Sequence, residues 1–327
     1  MSIGVLGVWV SALAVPVIAH DAGGANLLVA CAVCQFVGTL LGGRIQLDVL
    51  FMSTACACAA ITAFPGVGVV AFGFSFGALF RRYLDSVWEP VRAARLEFCG
   101  QVVAAVIFVP IAAWGIAGDG WSYVLWTAAV VASMVSVVVR ADVRDTADSP
   151  APGRILYAYG LVCAGVASFS LGGILVISSS ASEWSGSQST IFATATLLAG
   201  ALVAAIVSGY DWPTPAVRFK LGCYACSATA MLSMWARSLD GYLAMSVAFG
   251  LGAGLVLINA RNVCFNNSNV FFILCQRLSD CVPPLLLAFG ATPRELMQAA
   301  PAFISLGLIV LPSGIDRVAT IALAQLR

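Results

Sequence analysis

Arg277 and Asp280 are the residues whose types and spacing point most directly to chemistry. They lie in VFFILCQRLSDCVPPLLLAFG, an otherwise apolar stretch from Val270 to Gly290. Three residues apart on a helix, they share one face. Ionisable groups inside an apolar span are expensive, and such groups face a bundle interior or a water-filled cavity. In that setting Asp280 is a carboxylate able to titrate, and Arg277 tunes it or binds an anionic group. The alternative is a structural pair snorkelling to the membrane interface from the helix end, about two turns from the preceding polar loop. Pro283 and Pro284 kink the helix under either reading.

The remaining polar residues fall into small groups. His20 and Asp21 follow the first apolar run and precede an Ala-Gly-Gly turn, so they act as a gate or proton relay, or form a solvated loop. That first run itself carries no acidic residue. Arg81, Arg82, Asp85 and Glu89 combine i,i+4 spacings into a charged stripe, either a charge relay or a solvated helix extension. In GTLLGGRIQLDVL, residues 38–50, the only charges are Arg44 and Asp48 between two apolar runs, which reads as a hairpin. Eleven cysteines include CxxC spacings at Cys31/Cys34 and Cys223/Cys226, but His20 is the sole histidine, so no metal set assembles. Cysteine is read here as a small apolar packing residue. GLGAG at 250–254 has no strand before it and no Lys-Ser/Thr after it, so it is not a phosphate cradle. No metal and no cofactor are expected, and no clustered His, Asp or Glu set supports an enzyme.

The elements that position these residues follow from composition. The chain has 327 residues, 61% hydrophobic and 9% charged, with mean hydropathy +0.98. Soluble domains carry about 25% charged residues, so the bilayer is the expected solvent. A span needs roughly 20 mostly apolar residues, and the long runs here lack period-2 alternation, which favours helices over barrel strands. The expectation is an all-α membrane protein with twelve transmembrane helices. The first six are placed at 3–19, 25–42, 48–64, 66–82, 98–117 and 121–139. The second six are placed at 155–178, 188–209, 219–236, 241–260, 269–290 and 299–313. The third, fourth and last are short. RADVRDTADSPAPGR, residues 140–154, reads as a cytoplasmic linker between two six-helix halves, 1–139 and 155–327. The tail from Ser313 reads as a short amphipathic helix at the surface.

Charge placement gives an orientation. With the N-terminus in the cytoplasm, the cytoplasmic side holds Arg44, Arg81, Arg82, Arg92, Arg95, Arg140, Arg144, Arg154, Arg218, Lys220, Arg261, Arg317 and Arg327. These are thirteen of the sixteen basic residues, as the positive-inside rule requires. Both termini are then cytoplasmic. No signal peptide is expected, because no basic residue precedes the first run. A net charge of +1 without a basic block excludes nucleic acid as a partner. The preference for arginine, with Ala and Gly abundance, fits a GC-rich bacterial genome and hence the bacterial inner membrane.

Two six-helix halves about a polar linker resemble the major facilitator superfamily. ALAVPVIAHDAGGANLLVACAVCQFVGTLLGGRIQLDVLF is similar to the first hairpin of its drug and siderophore efflux members, closest to the macrolide-efflux and enterobactin-exporter branch. Gly38, Leu40 and Leu41 follow that hairpin's loop motif; Gly42 and Gly43 then stand where an acidic and a basic residue belong, with Arg44 and Asp48 late. Pro90, Arg92, Ala93 and Ala94 resemble the element before the fifth helix. Pro110 matches an antiporter-type fifth helix whose flanking glycines are here Val109, Ala113 and Trp114. AFGLGAGLVLINA is similar to a Gly-rich tenth helix.

This resemblance implies a gating loop at Arg44 and Asp48, with Asp48 paired to an arginine near helix 4 or in the linker. Arg81, Arg82 and Asp85 would serve as an inter-half relay. Helices 1, 4, 7 and 10 would line the path and offer Trp9, Phe72, Phe76, Phe169 and Asn259 to a bulky, partly apolar substrate. The function implied is a secondary transporter, exporting a siderophore- or drug-like solute by alternating access with proton coupling, as a monomer. Uptake of a similar solute, or a scaffold derived from a transporter, are the competing readings.

Overall fold

The computed structural model describes residues 15–86, 95, 98–106, 120–138, 153–179, 186–208, 214–264 and 269–311. Helices joined by short turns account for these residues, and no strand occurs among them. The first element, α1 (Val15–Leu41), contains one break: Gly24 sits at φ 62° and ψ −154°. Side chains are excluded from that region by their Cβ, so two helices meet there in a turn without intervening loop. This is the Ala-Gly-Gly turn expected between the first two spans.

A 3-10 turn (Gly42–Arg44) leads to α2 (Leu47–Ala63), and one residue, Phe64, separates α2 from α3 (Pro65–Ser86). Residues 98–106 form α4. Then come α5 (Gly120–Val138), α6 (Gly153–Ser179), α7 (Gly186–Val207), α8 (Pro215–Ser233) and α9 (Leu239–Cys264). The last three are α10 (Asn269–Asp280), α11 (Val282–Ala288) and α12 (Pro293–Val310). Helical residues occur in every expected span. The fourth and twelfth are longer than their apolar cores: α3 continues through the charged Arg81–Ser86 segment, and α12 begins six residues early. The tail and most of the expected linker lie outside the described residues.

Among the described residues, three segments are long and apolar enough to cross a bilayer: Val15–Arg44, Ile155–Ile177 and Leu239–Ala260. Ile155–Ile177, 23 residues, extends about 35 Å at 1.5 Å per residue, against a hydrocarbon core of about 30 Å. Leu47–Ala63, Val124–Val135 and Phe192–Val207 are shorter apolar helices. Polarity is distributed as a bilayer demands: Phe64, Val106, Met134 and Ile309 are exposed while Arg277 is only 8% exposed. The chain is a helical membrane protein.

The early start of α12 has a local cause. Gly290, at φ 95°, closes α11: its N–H donates to the Leu287 carbonyl and the Ala291 N–H to the Leu286 carbonyl, both at 3.0 Å. Two residues later Thr292 opens α12 with a capping box. Its hydroxyl accepts from the Glu295 N–H at 3.2 Å, and Glu295 Oε2 accepts from the Thr292 N–H at 2.7 Å. These bonds to Thr292 hold the Glu295 carboxyl below its ordinary value, so the box persists at neutral pH and is lost as pH falls below the ordinary carboxylate range.

Helix contacts are closest where glycines face carbonyls. In the α1–α3 pair, a Cβ at Gly77 would run into the Gln35 carbonyl oxygen, and one at Gly73 into that of Cys31. The Thr39 hydroxyl donates to the Gln35 and Gly77 carbonyls at 2.8 and 3.2 Å, joining the two backbones. The α7–α9 pair repeats the arrangement, with Gly250 against Thr196 and Gly254 against Gly200. Small residues let helix backbones approach where lipid removes any hydrophobic drive to associate. α10 packs on α6 and also reaches α1 and α3, while α11 packs on α1. Elements before and after residue 150 therefore meet along α10 and α11.

Candidate functional site

The break between α10 and α11 organises the site. Pro283 and Pro284 have no N–H, so the carbonyls of Ser279 and Asp280 receive no helical donor. The helix stops at Asp280 and resumes at Val282, with Cys281 at the junction (φ −77°, ψ −21°). The expected kink is thus a one-residue interruption at the ionisable pair, with Cys281 still in helical geometry and its carbonyl accepting from the Leu285 N–H at 3.2 Å. Behind it, α10 is fixed to α6: the Ser279 hydroxyl donates to the Gly160 carbonyl at 2.8 Å, and the Cys275 thiol to the Leu156 carbonyl at 3.0 Å.

Arg277 and Asp280 then face a cavity. Arg277 Nη1 donates to Asp280 Oδ2 at 2.8 Å, with the two side chains 10% and 26% exposed. The guanidinium carbon lies 4.5 Å from the Phe80 ring centroid and 5.5 Å from that of Phe76, both on α3. Such cation–π contacts are worth up to about 2 kcal/mol when desolvated. Nε of Arg277 has no hydrogen-bond partner among the described residues. The pair is therefore not at a solvated helix end: it is enclosed, and it ties α10 to α3.

The cavity has a volume of about 440 Å³ and is walled by α1, α3, α4, α6, α7, α9, α10 and α11. Its wall is largely apolar, with Leu28, Phe76, Phe80, Val166, Leu171 and Ile174 among the contributors. Polar groups are few: Gln35, Gln101, Ser170, Thr196 and Gln276, with Arg277 and Asp280 the charged members. Gln101 is buried, and its Oε1 has no partner among the described residues. One cation, one anion and scattered amides in an apolar chamber can bind an amphipathic solute; no nucleophile–base arrangement is present there. No grouping of His, Cys, Asp and Glu able to hold a metal occurs among the described residues.

The other sequence-derived residues take varied places. Phe76 is in the wall, whereas Phe72 stacks behind it at 5.5 Å. Phe169 is buried and stacks on Phe249 at 3.9 Å, outside the wall. Asn259 is buried, and its side-chain amide donates to the Leu255 carbonyl at 2.7 Å, beside cavity residues Leu257 and Ile258. Asp21 lies 3.7 Å from His20 Nδ1 with 74% of its side chain exposed. Arg44 and Asp48 are exposed, and no ion pair to either is found among the described residues. Arg81 reaches the Thr39 carbonyl at 3.5 Å, near the C-terminal end of α1. Arg82 is half-buried, and its Nε has no partner among the described residues. Asp85 belongs to α3, but its side chain, like all of Trp9, lies outside the described residues. Sequence reasoning missed Phe80 and the glutamines Gln35, Gln101 and Gln276. Each glutamine was visible as a polar residue within an apolar run.

No protein-family model and no curated protein matches the sequence. Among solved structures, the chain is similar to the human organic anion transporter MFSD10 (TETRAN), with TM-score 0.66 and 15% identity. The match covers 95% of this chain and 97% of that one. At that identity the likeness is one of fold, and it extends over nearly the whole chain.

Proposed function

We propose that this chain is a secondary transporter that carries a small amphipathic organic solute across the inner membrane by alternating access. The observation that carries this reading is the chamber of about 440 Å³ with a charged pair, Arg277 and Asp280, on its wall. Segments from both sides of the 140–154 region contribute to that wall, as access alternating between two halves needs. The full reading has twelve spans in two six-helix halves, both termini in the cytoplasm, and a monomer. The direction is export, coupled to protons, of a siderophore- or drug-like molecule, as the likeness to the macrolide-efflux and enterobactin-exporter branch implies. Arg44, Asp48, Arg81, Arg82, Asp85 and Asp21 act in gating, and Trp9, Phe72, Phe169 and Asn259 shape the path. The test is flux through purified protein in proteoliposomes, with and without an imposed pH gradient. Solute movement that follows the gradient and falls in Asp280→Asn supports the reading. Absence of any protein-dependent flux across a panel of amphipathic solutes favours a scaffold instead.

A further inference from the structure

Two polar groups in the cavity wall have no partner among the described residues: Nε of Arg277, a donor, and Oε1 of Gln101, an acceptor. A guanidinium carries five N–H donors in a planar fork that matches anionic oxygens. Here only Nη1 is engaged, with Asp280 Oδ2. The rest of the group is held by the faces of Phe80 and Phe76, which orient it without using its N–H groups. The fork is thus fixed in place, and most of its donors are uncommitted.

Charge then restricts the ligand. The pair Arg277–Asp280 is neutral as a unit. A cationic ligand meets a like charge at Arg277, and an uncharged one leaves the fork without its complement. An anion matches the fork but leaves two negative charges facing one positive charge in an apolar chamber, which is costly. One proton on Asp280 restores neutrality. Among the described residues, the groups around the Arg277–Asp280 pair on neighbouring elements supply no other charge. Cys163 from α6, Cys281 at the break and Cys31 from α1 are thiols, Tyr159 is a phenol beside Cys163, and α3 contributes the two rings. Thiols and phenols ordinarily ionise above neutrality.

Resting on the cavity as the transport site, we propose that its ligand is an amphipathic organic monoanion bound by Arg277, and that binding places one proton on Asp280. In that step the anionic oxygens of the ligand accept from the uncommitted N–H groups of Arg277. A proton from water bonds to the Asp280 carboxylate, and the Arg277–Asp280 contact weakens from an ion pair to a neutral hydrogen bond. Site charge is zero before and after. Solute and proton occupy the loaded site together, so this step couples them as co-transport and favours the uptake reading over proton-driven export. Gln101 Oε1 accepts from an N–H or O–H of the ligand.

The experiment uses the full chain in lipid nanodiscs and three probes of one shape: 2-naphthoate, 2-naphthamide and 2-naphthylmethylammonium. Binding is measured by calorimetry in buffers of different ionisation enthalpy at about pH 6 to 8, where the carboxylate stays ionised. Naphthoate binds at least about tenfold tighter than the other two, as expected of a charge-assisted contact. About one proton is taken up per anion, so Kd rises toward about tenfold per pH unit. Asp280→Asn binds naphthoate without proton uptake or pH dependence. Arg277→Gln, and the charge-neutral double variant Arg277→Gln/Asp280→Asn that guards against misfolding, lose the preference for the anion. Equal binding of the amide, no naphthoate binding, pH-independent binding in the unaltered protein, or proton uptake surviving in Asp280→Asn overturns the proposal. If naphthoate binds with its proton yet no solute crosses proteoliposome membranes, the transport reading fails and the ligand class stands.

Discussion

At the scale of single residues, the ionisable pair dominates. Arg277 and Asp280 are enclosed, joined at 2.8 Å, and braced by Phe80 and Phe76. Removing one partner of such a pair strands the other charge. Arg277→Gln should therefore lower stability by about 3–5 kcal/mol, measured as the unfolding midpoint in detergent. Arg277→Gln/Asp280→Asn should recover most of that loss, and a double variant no more stable than the single one contradicts the pairing. For function, Asp280→Asn should reduce flux more than Asp21→Asn, because Asp21 stands 74% exposed beside His20. The reverse order would remove the pair from the centre of the mechanism. The pair was legible as polar residues in an apolar run; its burial was not, because sequence spacing fixes a shared helix face without saying what covers it. Phe80 was missed for that reason, since only the packing of α3 on α10 brings it to the guanidinium.

At the scale of elements, the glycines in GTLLGGR gain a physical role. Gly38 faces the Phe74 carbonyl, and a Cβ at Gly42 would come within 2.5 Å of the Ala78 backbone. The α1–α3 approach demands glycine at those positions, whatever charge a loop motif would place at Gly42. Gly77→Val and Gly254→Val should each force two backbones apart and destabilise the protein by about 1–3 kcal/mol or more. Gly66→Ala, where nothing lies within 4 Å, serves as the control. Equal midpoints for all three variants would show that these contacts do not set the helix spacing. Proline placement at 283 and 284 announced an irregularity in the sequence. The extent of the break, and its coincidence with Asp280, came from the fold.

At the scale of the whole molecule, the likeness to a solved transporter spans 95% of the chain, and the cavity draws on helices from both ends of the sequence. Orientation is the property that only solution work reports. A single cysteine placed at 145–150 in a background without the eleven native ones should label only from the cytoplasmic side. Labelling from outside would invert the topology. Flux of an amphipathic solute should follow an imposed pH gradient, and flux indifferent to it would separate transport from protons.

What the sequence determined by itself is the solvent and the periodic elements. With 61% hydrophobic and 9% charged residues, the chain has to bury its backbone polarity in helices within lipid, and glycine, proline and arginine mark where those helices end. Only the tertiary structure decided which polar residues share the cavity. Arg277, Asp280, Gln101 and Gln35 come from three helices far apart in the chain. No local pattern encodes the close glycine-to-carbonyl packing that brings such helices around one chamber.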